Sequence, residues 1–227
     1  MLSARSSRRC SSIRKETAPV ADLALIARTG FAGLAIPGRY GRVVGGERPV
    51  VLTERPNLTV MQISAYRDRM GDVAKAVLAT SGFELPQKPG RVVANGVALI
   101  GMARGQWLAV AEGDKGRALL SRLNEAVSAH AAIVDQSDAK AILRVAGPRA
   151  RDVLAKGCAL DLGERAFNPQ DAATTQIALI PCQLWQLDEG PTYELAVPLS
   201  YARSFWSWLT ASAAEYGYEV RLPLPLG

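Results

Sequence analysis

The feature that most limits the fold of this chain is a sequence of local patterns that occurs twice in the same order. In the first pass, "LTVMQISA" (58–65) reads as a buried strand and "RDRMGDVAKAVLATSG" as a helix. "ANGVALIGMARGQWLAVAEG" then gives two short strands about an Arg104-Gly105 turn, and "DKGRALLSRLNEAVSAH" a second helix. In the second pass, "AKAILRVAG" is a strand and "PRARDVLAKG" a helix. "TTQIALIPCQLWQLD" and "PTYELAVPL" form a strand pair separated by Glu189-Gly190, and "YARSFWSWLTASAAEYG" closes as a helix. "VMQISA" (60–65) aligns with "ILRVAG" (142–147) at a shift of 82, and "LAV" at 108–110 with "LAV" at 195–197 at a shift of 87. The expected fold class is α+β, built from two tandem β-α-β-β-α units packed together. The hairpin inside each unit favours mixed sheets with helices on one face over a doubly wound parallel sheet. The expected organisation is a basic tail and Gly/Pro-rich arm at 1–57, a first unit at 58–131, and a second unit with a C-terminal tail at 132–227.

Each helix carries its own face and end signals. Met70, Val73, Val77 and Leu78 recur at three- and four-residue steps, with Asp68 placed to cap the start and Gly82 to end it in the left-handed conformation. Leu119, Leu123, Ala126 and Val127 form the inner side of the second helix, capped by Asp114. Pro148 suits the first position of the third, with Ala150, Val153 and Leu154 inside and Gly157 at its end. In the last helix Phe205, Trp208, Leu209, Ala213 and Tyr216 share a face, which leaves Trp206 off it. The arm contributes a short strand at "RPVVLTE".

Charge and cysteine usage exclude several classes. The formal charge is +6, but Arg5, Arg8, Arg9, Arg14 and Lys15 against Glu16 supply +4 of it within residues 1–16. The excess belongs to a tail, so the body is not expected to bind nucleic acid. That Ser/Arg-rich tail resembles a transit peptide in composition, but it is read as a basic terminus that is disordered or wraps a partner. No run of about 18 apolar residues is present, so no membrane span is expected. Cys10, Cys158 and Cys182 are an odd set without a C-x-x-C, which fits a reducing cytosol and excludes a disulfide scaffold. Cys158 and Cys182 read as small core residues. With His130 the sole histidine and no carboxylate cluster, no metal site is expected.

Nucleotide and nucleophile motifs are missing as well. The strand–turn–helix "AILRVAGPRARDVLAKG" could cradle a phosphate, but it has neither Walker nor dinucleotide spacing, and Pro148 removes an amide donor at the helix start. The passage is read as a structural turn. "NGVALIG" and "GGERP" also lack motif spacing, and no G-x-S-x-G turn exists to partner His130. Asp188-Glu189, and Asp135 with Asp138, are read as turn and cap residues rather than acid/base pairs. An off-face Trp206 beside Tyr201 and Arg203 is the kind of surface that binds a partner, so these three residues are the candidate interface.

"VDQSDAKAILRVAGPRARDVLAKG" with "TYELAVPLSYARSFWSWLTASAAEYG" resembles the gamma subunit of heterotetrameric sarcosine oxidase, as do "QISAYRDRM" and "GQWLAV". The resemblance spans roughly residues 58–217, and "SFWSWL" is its most specific part. "RVAGP" is similar also to the folate-dependent aminomethyltransferases, including the glycine-cleavage T-protein, where a D-x-S stretch comes before it, as Asp135-Gln136-Ser137 does here. Those enzymes carry a glycine-rich acidic strand segment after this helix, whereas "QIALIPCQLWQLDEG" is apolar. The resemblance therefore implies an aminomethyltransferase-like folate-binding fold turned to assembly, with no catalytic, cofactor or metal residue on this chain. It implies a cytoplasmic complex with alpha, beta and delta subunits. FAD, FMN, NAD and tetrahydrofolate would sit on those other subunits. The complex oxidatively demethylates sarcosine to glycine with hydrogen peroxide, passing the one-carbon unit to tetrahydrofolate or releasing formaldehyde. Alternatives are a stand-alone folate-binding aminomethyltransferase-like protein, or the same subunit of a related N-methyl amino-acid dehydrogenase.

Overall fold

Alternation within the strands builds two sheets, each covered by helices on one face and by the other sheet on the opposite face. The computed structural model describes residues 28–42 and 50–223; the basic tail, Cys10 and "GGERP" lie outside them. The strands are β1 (Gly38–Tyr40), β2 (Val51–Glu54), β3 (Thr59–Ala65), β4 (Gly90–Ala94), β5 (Val97–Ala103), β6 (Gln106–Ala111), β7 (Ala131–Asp135), β8 (Lys140–Ala146), β9 (Ala172–Ile177), β10 (Ile180–Asp188), β11 (Thr192–Pro198) and β12 (Tyr218–Arg221). The helices are α1 (Met70–Ser81), α2 (Gly113–Val127), α3 (Ala150–Ala155) and α4 (Ala202–Ala213), the last entered through a 3-10 turn at Leu199–Tyr201. One sheet runs β4-β5-β6-β3-β7 and the other β9-β10-β11-β8-β2-β12-β1.

The doubling is real, and fuller than the sequence pattern suggests. Each unit is a strand, a helix, three strands, a helix and a final strand: β3 to β7 with α1 and α2, then β8 to β12 with α3 and α4. The two sheets share the same order, except that the arm adds two strands to the second: β2 between β8 and β12, antiparallel to the first and parallel to the second, and β1 at the edge, antiparallel to β12. The sheets therefore do not divide at the expected unit boundaries. β2 joins the second sheet, and β7, straddling residue 131, pairs with β3 in the first.

Three apolar layers follow from the period-two alternation. Ile63, Leu99, Trp107 and Ala109 face Val73, Val77, Leu120 and Leu123 of α1 and α2. Leu143, Val145, Leu184, Tyr193, Leu195 and Val197 face Val153, Leu154, Phe205 and Leu209 of α3 and α4. Between the sheets lie Val60, Ile100, Leu108 and Val110 from one and Ile142, Ala172, Trp185 and Ala196 from the other. Each large side chain sealed in these layers contributes about 1.5–3 kcal/mol. Val60 pairs with Val110, and Ile142 with Ala196, so the offset of 82 for β3 and β8 goes with an offset of 86 for β6 and β11. The shift of 87 is off by one. It matches Leu108, which faces the other sheet, with Leu195, which faces the helices.

Several local expectations are corrected. Asp68 takes a positive φ of 62° instead of capping α1, whose N-cap is Arg69, while Gly82 does adopt the left-handed C-cap. Asp114 sits inside the first turn of α2, after the N-cap Glu112, and pairs with Arg117. Pro148 precedes α3, which begins at Ala150 and ends before Gly157. Gly157 makes room for the Trp208 ring, since a Cβ there would stand 2.5 Å from Trp208 Cζ2. "TTQIALIPCQLWQLD" is a hairpin, not one strand, turning at Ala178 and Leu179 with φ of 50° and 66°. In α4 the buried face includes Trp206, whereas Trp208 is half-buried.

Candidate functional site

Glu194 lies in β11 between Tyr193 and Leu195, so alternation turns its carboxylate away from the helices and into the space between the sheets. Its register neighbours are Arg144 on β8 and Trp185 on β10. Arg144 donates to Oε1 through Nη2 at 2.7 Å and Nε at 3.2 Å, and Trp185 Nε1 donates to Oε2 at 3.0 Å. Arg55, just past β2, donates from Nε to Oε1 at 3.0 Å and from Nη2 to Glu112 at 2.7 Å. Burial opposes the Arg55 charge, but Glu112 and Glu194 outweigh it and hold its guanidinium above the ordinary arginine range. Only 7% of the Glu194 side chain is exposed, and both oxygens are taken by this chain's own donors, so it is not a free base or ligand group. The four residues tie three strands of one sheet to the start of α2 beside the other. A lone carboxylate inside the buried run "YELAV" was the sequence signal for this cluster; the sequence reading missed it.

Beside it opens a cleft of about 270 Å³ lined by Arg28, Glu54, Asn57, Ser137, Lys140 and Leu199 among others. Its polar groups hold the backbone. Glu54 Oε1 accepts from the Phe31 N–H at 3.0 Å, and Ser137 Oγ accepts from the Val60 N–H at 3.0 Å. Asp135 Oδ1 accepts from the Ser137 N–H at 2.8 Å, and this hydrogen bonding holds its carboxyl below the usual range. The Asp135-Gln136-Ser137 stretch is thus an Asx turn, and Gln136 N–H also donates to the Val60 carbonyl at 2.7 Å. Burial holds the Lys140 ammonium below the usual lysine range.

The "RVAGPRARD" turn is a structural one in its contacts. Arg151 donates to the Leu162 carbonyl at 2.9 Å and to Tyr193 Oη at 3.1 Å, and meets Glu164 at 3.1 Å. Arg149 pairs with Asp152 at 2.8 Å and lies over the Tyr216 ring. His130 sits past the end of α2, its backbone carbonyl accepting from the Tyr66 N–H. Among the described residues no group of three or more His, Cys, Asp or Glu side chains is placed to hold a metal ion. Cys158 and Cys182 are buried free thiols, and burial pushes the Cys182 thiol up.

Of the three candidate interface residues, Tyr201 is 47% exposed and Arg203 is exposed. Trp206 is only 8% exposed: its ring packs against Phe31 of the arm, with centroids 5.6 Å apart. The arm covers the α4 side that the helical period alone leaves open, so Trp206 belongs to the core and not to a free surface.

A two-sheet sandwich with outer helices, built from a repeated unit, defines a fold class shared with the aminomethyltransferases. The glycine cleavage system aminomethyltransferase T from Bartonella henselae superposes with a TM-score of 0.54 at 14% identity, over 74% of this chain and 47% of that one. The sarcosine oxidase, gamma subunit family matches residues 68–215, and the chain belongs to that family. Sarcosine oxidase subunit gamma of Corynebacterium sp. (strain U-96) is 31% identical over 176 residues, covering 76% of this chain and 83% of that one. The Arthrobacter sp. subunit gamma is 34% identical over 170 residues, covering 74% and 81%. A chain of the heterotetrameric sarcosine oxidase from Corynebacterium sp. U-96 superposes with a TM-score of 0.72 at 29% identity, over 84% of this chain and 96% of that one.

Proposed function

We propose that this chain is the non-catalytic gamma subunit of a heterotetrameric sarcosine oxidase. The observation that carries the reading is the superposition on 96% of one chain of such an enzyme, with this chain's central carboxylate closed by its own arginines and tryptophan. The complex would oxidise the N-methyl group of sarcosine in the cytoplasm, with FAD, FMN, NAD and tetrahydrofolate on the alpha, beta and delta subunits. Among the described residues no helix is long and apolar enough to cross a membrane. Tyr201 and Arg203, exposed at the entry to α4, are the proposed contacts to those partners.

Co-expression of the tagged chain with its candidate partner subunits tests this. Flavin-containing subunits should co-purify at fixed stoichiometry and turn over sarcosine faster than other N-methyl amino acids. The isolated chain should bind neither flavin nor tetrahydrofolate by calorimetry. Flavin binding or sarcosine turnover by the chain alone overturns the reading, and tight tetrahydrofolate binding points to a stand-alone aminomethyltransferase-like protein. A complex that prefers another N-methyl amino acid keeps the subunit role and changes the substrate.

A further inference from the structure

Arg91 stands at the seam where the edge strands of the two sheets meet. Its backbone N–H donates to the Gln170 carbonyl at 2.7 Å, and its Nη1 to Gln170 Oε1 at 2.9 Å. No carboxylate pairs with it among the described residues, and its buried Nε has no acceptor. Burial lowers its proton affinity, and Arg144 and Arg55 lower it further against the pull of Glu194. Three guanidiniums thus share two carboxylates, Glu194 and Glu112, and both of these are engaged by Arg55 or Arg144. A partly buried cation without a paired counter-charge is costly.

We propose that this rim receives a carboxylate side chain of a partner subunit, with Arg91 as its donor. The inference rests on the subunit reading above. Charge complementarity selects an acidic group, and a guanidinium fork matches a carboxylate. The surroundings select a protein donor over a free anion. The Arg91–Gln170 bond is exposed, and Val93, on the same face of β4, is 47% exposed, so the site is an open rim with an apolar flank. A packed protein surface covers Val93 and excludes water from the ion pair in one step, as interface arginines do.

The test uses the tagged full-length chain and its co-expressed partner subunits, with affinity measured at low and high salt and Tm measured on the chain alone. Arg91→Gln should weaken assembly at least about tenfold at low salt and flatten its salt dependence. It should leave the Tm of the chain unchanged or higher, and Arg91→Lys should retain part of the affinity. Assembly by Arg91→Gln within about twofold of the parent overturns the inference and leaves the subunit reading intact. So does a loss of assembly that both variants share together with a fall in Tm. Succinate is the small-anion probe: stabilisation of the parent but not of Arg91→Gln, with assembly unchanged, also overturns it. A parent chain that captures none of these subunits overturns both readings.

Discussion

At Glu194 a carboxylate is kept inside a protein by surrounding it with donors. Three side chains supply four hydrogen bonds to its two oxygens, three of them from the two arginines, whose charges would themselves be poorly compensated without it. Breaking a buried pair costs more than the pair is worth, because the surviving charges stay in place. Glu194→Gln should therefore destabilise the chain by about 2–4 kcal/mol. That corresponds to a fall in Tm of about 5–10 °C, read by thermal unfolding in far-UV circular dichroism. An unchanged Tm would mean that the cluster is an ornament of the fold and not part of its structure. The sequence conceals this cluster for a physical reason. Arg55 and Arg144 lie 139 and 50 residues from Glu194, and only the completed strand order brings them together. Trp206 is concealed in the same way. Helical period assigns it to solvent, and Phe31, from an arm 175 residues earlier, covers it.

Among the elements, those with regular periodicity and glycine-marked ends were readable, and those shaped by neighbours were not. Val73 and Val77 on the inner side of α1, Gly82 behind it, and the β5–β6 hairpin at Arg104-Gly105 follow from local chemistry, whereas Leu78, expected on the same face, is 47% exposed. The β9–β10 hairpin does not, because Ala178 and Leu179 occupy left-handed positions that glycine and asparagine normally mark. The turn is held from outside: the Ala178 N–H donates to the Gly157 carbonyl at 3.0 Å, and the flanking strands pair from Ile180 and Ile177 onward. Left-handed backbone costs about 1–2 kcal/mol per residue with a Cβ. Leu179 is 87% exposed, so its side chain offers little packing in return. The double change Ala178→Asn, Leu179→Gly should then raise stability by about 1 kcal/mol, after the greater unfolded-state freedom of glycine is subtracted. Urea denaturation checks this through a higher midpoint at unchanged m-value; a lower midpoint would show that the exposed leucine is packed after all.

Across the whole molecule, the two repeats are not independent domains, because the arm is built into the second one. In the first sheet β3 and β7 pair directly, while in the second β8 and β12 are held apart by β2. Without β2 the second sheet loses the antiparallel ladder from Val51 to Glu54 on one side and the parallel ladder to Glu219, Val220 and Arg221 on the other. It also loses Leu52 and Val50, both fully buried, together with Phe31 over α4 and the Arg55 bonds to Glu194 and Glu112. To close the gap β12 would have to move across one strand spacing, giving up its ladder to β2 before it could pair with β8 in the antiparallel way that β7 pairs with β3. The segment that reads as an irregular Gly/Pro-rich arm therefore carries a central strand of the larger sheet. A chain beginning at residue 58 retains both repeats in sequence, yet it should lack a cooperative thermal transition, and its tryptophan emission should shift to the red as Trp206 meets water. A truncated chain that melts cooperatively near the parent Tm would show that the repeats fold without the arm. The arm would then be an accessory strand added to a self-sufficient pair of sheets.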